Sequence, residues 1–249
     1  MNVLGVIPAR YASSRFPGKP LIDLDGKTML QRVYEQCMLS KSLTKILIAT
    51  DDQRIYDHAK SINANVCMTS DMHPSGTDRC AEAAMLSDFD ADVIVNIQGD
   101  EPLIQPEQID LLVDCFKDPK TDIASLVKKI EHVDALHNPN TPKVVMNDQG
   151  FAMYFSREAI PHIRSVEKNE WLQHHTYYQH IGIYAYKKSI LQSITKLPIS
   201  SLEKAEALEQ LRWLQHGHQI KLAITPFESI AIDNPSDVER VLNMLKQKK

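Results

Sequence analysis

The sequence lacks any run of about 18 apolar residues, the length a membrane-spanning helix needs, which excludes a membrane span. Its opening residues, Met1–Pro8, carry neither a basic stretch nor a cleavage pattern, and read as a first strand instead of an export signal. Cysteine is scarce and dispersed. The four, Cys37, Cys67, Cys80 and Cys115, come no closer than 13 residues, which excludes a C-x-x-C redox pair and a clustered zinc site. Without an export signal, reduced thiols in a cytoplasmic protein are expected. Positive charge is not in surplus: 28 basic against 32 acidic residues give −4, which argues against nucleic acid as an electrostatic partner. Glycine numbers only 8, and neither the G-x-x-x-x-G-K-S/T phosphate loop nor the G-x-G-x-x-G dinucleotide fingerprint occurs. What remains is ordinary globular composition: 249 residues, 43% hydrophobic and 24% charged, enough for a full core in one or two domains.

The first half alternates two periodicities. Strand-like runs at Val3–Ile7, Ile46–Ala49, Val66–Met68 and Val93–Ile97 are separated by helical patterns at Thr28–Leu39, Gln53–Ser61, Thr77–Leu86 and Pro106–Phe116. That alternation predicts an open, mostly parallel sheet with helices on both faces, a Rossmann-like α/β fold. The second half is richer in strands, at Asp122–Ile130, Lys143–Met146, Ala152–Phe155 and Ile181–Tyr186, so a smaller β-rich extension is expected near residues 120–200. Ser200 and Glu203 form a capping-box pattern opening a helix over Leu202–Leu214. Asn234 and Pro235 read as an N-cap and first helical residue, with Val238, Val241, Leu242 and Leu245 as one buried stripe and Lys246–Lys249 as a frayed tail.

The segment Pro8–Leu21 follows the first strand, where an open α/β sheet places its ligand crevice. It holds Arg10, Arg15 and Lys19 and no acidic residue. Guanidinium forks and an ammonium suit a triphosphate, and the small residues Ala9, Ala12, Ser13 and Ser14 let backbone N–H groups approach phosphate oxygens. On residue types alone, a basic solvated loop is the competing reading. Asp100 sits just past a strand, after Gly99, and Asp233 is expected at the end of a short strand before a helix cap. Two such carboxylates plus substrate phosphates is how Mg²⁺ is usually held, though two surface aspartates would look the same. Ser75-Gly76-Thr77-Asp78-Arg79 reads as a turn opening a helix, able to read a pyrimidine edge or simply to cap.

Together these segments resemble the sugar nucleotidyltransferases, and in detail the 3-deoxy-manno-octulosonate cytidylyltransferases. The likeness runs from Pro8–Leu21 through Ala49–Asp52, Ser75–Arg79, Asn96–Pro102 and Tyr154–Arg157, and on to His180–Tyr184, Leu208–Arg212 and Ile232–Pro235, in the family's order and over nearly the whole chain. It implies one nucleotidyltransferase domain over residues 1–249. The activity it implies is direct attack of a 2-keto sugar acid's anomeric hydroxyl on the α-phosphorus of CTP, with Mg²⁺ on Asp100 and Asp233 and with Arg10, Lys19 and Asp100 as catalytic groups. Nucleotide contacts are expected from Pro8, Ala9, Arg10, Ser13, Arg15, Lys19, Ser75, Gly76, Arg79 and Gln98. For the sugar, Arg157, His180, Tyr184, Glu209 and Gln210 are the candidates. His180 and Tyr184 are four apart on a predicted strand and should share a face, although a satisfied structural histidine is the simpler account of His180 alone. The resemblance further implies a homodimer through the β-rich part, with Trp171, Tyr177 and Tyr178 as a candidate contact or an ordinary pinned loop, and a product destined for lipopolysaccharide.

One position departs from many members of the family: Gln179 stands where arginine commonly precedes the histidine. Loss of that cation would favour 8-amino-3,8-dideoxy-manno-octulosonate over the parent sugar acid if residue 179 faces the pocket. Two other functions compete. A glycosyltransferase would use Asp51-Asp52 as a metal-binding pair, and a silent nucleotide-binding regulator would keep the fold without turnover.

Overall fold

A computed structural model describes residues 1–12 and 15–247; Ser13, expected at the nucleotide, and the tail residues Lys248 and Lys249 lie outside the described residues. The strands are β1 (Val3–Ala9), β2 (Lys45–Thr50), β3 (Val66–Met68), β4 (Val93–Asn96), β5 (Ile123–Lys129), β6 (Lys143–Met146), β7 (Ala152–Ser156), β8 (Tyr178–Lys187) and β9 (Ile220–Ile224). The helices are α1 (Met29–Met38), α2 (Gln53–Ser61), α3 (Gly76–Leu86), α4 (Pro106–Asp114), α5 (Val133–His137), α6 (Trp171–His174), α7 (Lys188–Ile194), α8 (Ser201–Glu206), α9 (Gln210–Gln215) and α10 (Ser236–Gln247).

One sheet runs in the order β3-β2-β1-β4-β8-β5-β9, with the β6–β7 hairpin attached to β8. The pairs β1–β2, β1–β4, β2–β3 and β5–β9 are parallel. β8 is antiparallel to both β4 and β5, so the sheet is mixed at its centre. Strand β1 shows why both faces are covered. Val3 and Ile7 join a core with α1, α2 and α4, while Leu4 and Val6 join the opposite core with α3, α7 and α9. A continuous apolar run is what such a doubly covered strand requires.

Most predicted elements stand within one or two residues of their expected bounds; four places differ. First, β5 and β8 belong to the main sheet, so the extension is the insertion between them, with its own small core of Ile130, Leu136, Trp171 and Tyr177. Second, the helix expected over Leu202–Leu214 is two short helices. Its capping box at Ser200 and Glu203 forms, but Ala207 adopts a left-handed conformation (φ 50°) and breaks it. Third, Asn234 does not cap α10 through its side chain. The carboxylate of Asp237 reaches back instead to the backbone N–H groups of Asp233 (3.0 Å) and Asn234 (2.9 Å). Fourth, Asp233 is not at a strand end. Its neighbour Ile232 donates a backbone hydrogen bond to the carbonyl of Asp100 at 2.9 Å, which joins the segment to the loop after β4.

A third apolar cluster lies beneath the loops at that edge. Leu24, Met29, Leu103, Ile232 and Val241 are its buried members, with Phe16, Ile22 and Ile230 packed on it and Val238, Leu242 and Leu245 contributing the predicted stripe of α10. No helix among the described residues is long and apolar enough to cross a membrane.

Candidate active site

A cleft of about 390 Å³ opens at the C-terminal ends of β1 and β4. Pro8, Ala9, Arg10, Arg15, Lys19, Ser75, Gly76, Gln98 and Asp100 line it, so most of the residues expected to meet the nucleotide come together. The loop after β1 is closed by a bond from the N–H of Gly18 to the carbonyl of Tyr11 (2.9 Å), and the Arg54 guanidinium stacks on the Tyr11 ring. Gly18 has φ 75°, a conformation side chains resist, and it turns the chain so that Lys19 enters the cleft. Gly99 serves close approach. A Cβ there would stand 2.8 Å from the carbonyl oxygen of Pro8, so any side chain would push the Asp100 loop away from β1.

The charged groups of the cleft are already paired. The Lys19 ammonium lies 2.8 Å from Asp100 and 3.6 Å from Asp233, and Arg15 donates to Asp233 at 2.9 Å. Residues far apart in the chain therefore converge on one point, marked by a single ammonium. Arg10 donates to the carbonyls of His73 and Ser75, and burial beside Arg79 lowers its pKa. The His73 ring meets Glu82, which also accepts from the N–H of Ser70, so the wall carrying those carbonyls is pinned at its base. Ser75 caps α3, accepting from the N–H of Asp78, and the positive end of that helix opens on the cleft.

Asp100 and Asp233 suit a hard divalent cation. Both offer oxygen donors, and one ammonium reaches both. No third His, Cys, Asp or Glu joins them among the described residues, so phosphates and water would complete the shell, the arrangement Mg²⁺ prefers. Glu101, which sequence reading passed over, is 6% exposed. Burial pushes its pKa up to about 7, and its hydrogen bond to Ser229 ties the Asp100 loop to the segment leading to Asp233.

Two expected contacts are corrected. Arg79 does not line the cleft; it is 0% exposed, and its two terminal nitrogens donate to Thr69 and Asp51. Arg157 is likewise engaged within the chain. It donates to the carbonyls of Glu206 (2.7 Å), Pro139 (2.9 Å) and Ala207 (3.3 Å), clamping the break between α8 and α9 instead of waiting for a sugar carboxylate. The acidic pair Asp51-Asp52 is also engaged, Asp51 by Arg79 and Asp52 by the N-terminus of α2 and by Arg54, and neither acid is among the residues that line the cleft.

The remaining sugar candidates gather beside the cleft. His180 and Tyr184 do share a face, their rings 5.3 Å apart, despite a bulge in β8 opposite Ser125 and Leu126. Gln98 crosses from the cleft to the bulge, donating to the carbonyl of Gly182 at 3.1 Å. Tyr178 packs on the same face as His180, whereas Ile181 belongs to the opposite core. Strand alternation therefore turns Gln179 away from His180, and its departure from the family pattern is no evidence for an ammonium on the sugar. Glu209 accepts from Thr77 at 3.0 Å, and Gln210 is buried with its Nε2 unpartnered.

His180 is neutral. Its Nε2 lies 2.9 Å from the hydroxyl of Ser125, which is also within 3.2 Å of the Ile181 carbonyl and 2.9 Å of the Ile183 carbonyl. The serine has one proton and gives it to a carbonyl, so Nε2–H donates to the serine and Nδ1 is left as an acceptor. Burial pushes the ring's pKa down to about 3. The unfolded chain then binds the proton more readily, so this contribution to stability is complete above pH 6.5 and is lost as pH falls toward 3. In urea unfolding between pH 7 and 5, wild type should lose about 1.4 kcal/mol per pH unit more than His180→Gln below 6.5. Parallel slopes would mean the native ring titrates as freely as the unfolded one.

Comparison with known proteins identifies the family. A family model described as cytidylyltransferase matches residues 4–220. The chain is 55% identical over 249 residues to the 3-deoxy-manno-octulosonate cytidylyltransferase of Parabacteroides distasonis, covering 98% of each protein. It is 53% identical to the enzyme of the same name from Bacteroides thetaiotaomicron, over the whole of both. Among solved structures, a CMP:2-keto-3-deoxy-manno-octonic acid synthetase complexed with CTP superposes with a TM-score of 0.92 at 37% identity, covering both chains fully. A 4-diphosphocytidyl-2C-methyl-D-erythritol synthase from Anaerococcus prevotii, at TM-score 0.64 and 14% identity, shares the fold alone. With the family model spanning most of its length and relatives above half identity, the chain belongs to the 3-deoxy-manno-octulosonate cytidylyltransferases, a family of nucleotidyltransferases.

Proposed function

We propose that the chain condenses CTP with 3-deoxy-D-manno-octulosonate to give the CMP-sugar and pyrophosphate. The observation that carries this reading is the meeting of Lys19, Arg15, Asp100 and Asp233 at one point of a cleft whose other wall is the start of α3. The anomeric hydroxyl attacks the α-phosphorus in line and pyrophosphate leaves. Arg10, Arg15 and Lys19 take the triphosphate's charge, Lys19 and Arg15 exchanging their aspartates for phosphate oxygens. Mg²⁺ held by Asp100 and Asp233 would neutralise phosphate charge and lower the pKa of the attacking hydroxyl. Catalysis of this type is positioning and electrostatics, so no side-chain nucleophile is assigned.

His180, Tyr184, Glu209 and Gln210 bind the sugar acid beside the cleft. The neutral imidazole suits that task, since with Nε2–H turned to Ser125 its Nδ1 can accept from a sugar hydroxyl. The protein works in the cytoplasm as a homodimer joined through the extension, and its product supplies lipopolysaccharide assembly.

Pyrophosphate release from CTP, with Mg²⁺ and in turn 3-deoxy-D-manno-octulosonate, its 8-amino analogue, sialic acid or no sugar, tests the reading. Release with the first sugar alone is expected. Release only with the amino analogue would reassign the sugar, and CTP binding without release from any mixture would make the chain a nucleotide-binding regulator.

A further inference from the structure

Among the described residues, two hydrogen bonds join the nucleotide cleft to the region of the sugar candidates. One is the bond from Gln98 to the backbone of Gly182; the other runs between side chains, from Thr77 Oγ1 to Glu209 Oε2 at 3.0 Å, across 132 residues of sequence. Thr77 is 4% exposed and stands in the first turn of α3, directly after the Ser75 and Gly76 that line the cleft. Glu209 lies at the start of α9, past the chain reversal at Ala207.

The carboxylate of Glu209 is oddly supplied. It caps no helix, although it occupies the N-cap position of α9. The nearby guanidinium of Arg212 is committed to Glu203 through two bonds of 2.7 and 2.6 Å. The buried hydroxyls of Tyr184 and Tyr186 lie close enough to feel the charge of Glu209, beside the hydroxyls of Ser125 and Thr77 respectively, and Gln210 Nε2 makes no hydrogen bond among the described residues. Burial also raises the pKa of Glu209. A partly buried acid whose hydrogen-bonding side-chain partner is one threonine hydroxyl is not built for stability, because desolvated carboxylates normally gather several donors. It is built to be aimed.

We propose that Thr77 is a positioning residue for the transfer. Its hydroxyl aims the Glu209 carboxylate at the sugar acid from the same helical turn that forms the nucleotide wall, so one bond fixes the two subsites relative to each other. The inference rests on the reading of function given above. It extends that reading to a residue that touches neither substrate, and it makes sugar binding depend on the position of α3.

The test is Thr77→Val, which keeps the shape and removes the hydroxyl, beside Thr77→Ser, which keeps the hydroxyl. Initial rates would give KM for 3-deoxy-D-manno-octulosonate and kcat, and calorimetry the Kd for CTP without sugar. For Thr77→Val, the sugar KM should rise about tenfold, the worth of one hydrogen bond to a charged group, while the CTP Kd stays within twofold of wild type. Thr77→Ser should restore most of the loss, and Thr77→Val combined with Glu209→Gln should be little worse than Glu209→Gln alone. An unchanged sugar KM in Thr77→Val would overturn the proposal. So would a CTP Kd that rises in step with the sugar KM and is not rescued by serine, since that marks simple packing damage. Absence of turnover by wild type with every sugar acid would overturn the reading of function, and this inference with it.

Discussion

Replacing Lys19 with alanine is expected to slow turnover by about 10²–10³-fold, the scale of losing one preorganised charge partner in a transition state. In the same variant without nucleotide, Mn²⁺ standing in for Mg²⁺ should bind about tenfold tighter, because a cation beside a partly buried carboxylate shifts its affinity for other cations by at least that much. The opposite signs follow from the ion pairs. Lys19 sits 2.8 Å from Asp100 and 3.6 Å from Asp233, with 13% of its side chain exposed, so it fills the space between the two acids, and the proposed function has a triphosphate draw it away. Asp100→Asn provides the contrast. It should lose turnover on the same scale but weaken Mn²⁺ binding. Electron paramagnetic resonance of free Mn²⁺ and a coupled pyrophosphate assay read the two quantities separately. Near-normal turnover in either variant, or Mn²⁺ affinity that moves the same way in both, would remove the roles assigned to this pair.

The second large effect is on stability. Arg79→Met should cost about 3–5 kcal/mol, because it leaves Asp51 desolvated with no partner. Arg79 has no exposed side-chain surface and Asp51 only 16%. Thermal unfolding should fall by about 10 °C for a chain of this size. Replacing both members, Arg79→Met with Asp51→Leu, should recover much of the loss, since a buried pair exchanged for apolar groups is often neutral. The double variant also decides what Arg79 does. If it only supports the fold, CTP binding returns along with stability; if stability returns while CTP binding stays lost, the arginine meets the nucleotide after all.

How much was legible in the sequence follows from the kind of interaction that sets each feature. The strands and helices of the first half were readable because apolar spacing switches cleanly between the two periods, as with Gln53–Ser61, which is a helix to the residue, and Thr28–Leu39, whose first residue is the N-cap of α1. The cleft was readable because cations without acids stand just past β1, where an open α/β sheet places its ligand crevice. The two misread arginines have one cause, partners that lie far off in sequence. Arg79 and Arg157 look like ligand-binding arginines until Asp51, Thr69 and the carbonyls of Glu206 and Ala207 are seen around them. The break at Ala207 has no glycine or proline to announce it; the clamp from Arg157 holds it. The strand β9 went unread because Ile220–Ile224 follows closely on α9, and its pairing partner β5 lies about a hundred residues earlier. Glu101 showed no signal beyond its place beside Asp100, since burial is a property of the folded chain.

The apolar cluster beneath the loops carries a consequence for what sets the spacing of the charged groups. Phe16, Ile22 and Leu24 from the phosphate-loop side, Leu103 from the Asp100 side and Ile232 beside Asp233 meet one another on α10. A close-packed interior passes a change of volume on to every side chain that rests on it. The settings of Lys19, Asp100 and Asp233 therefore share one apolar floor, and their spacing is inherited from side chains that carry no charge of their own.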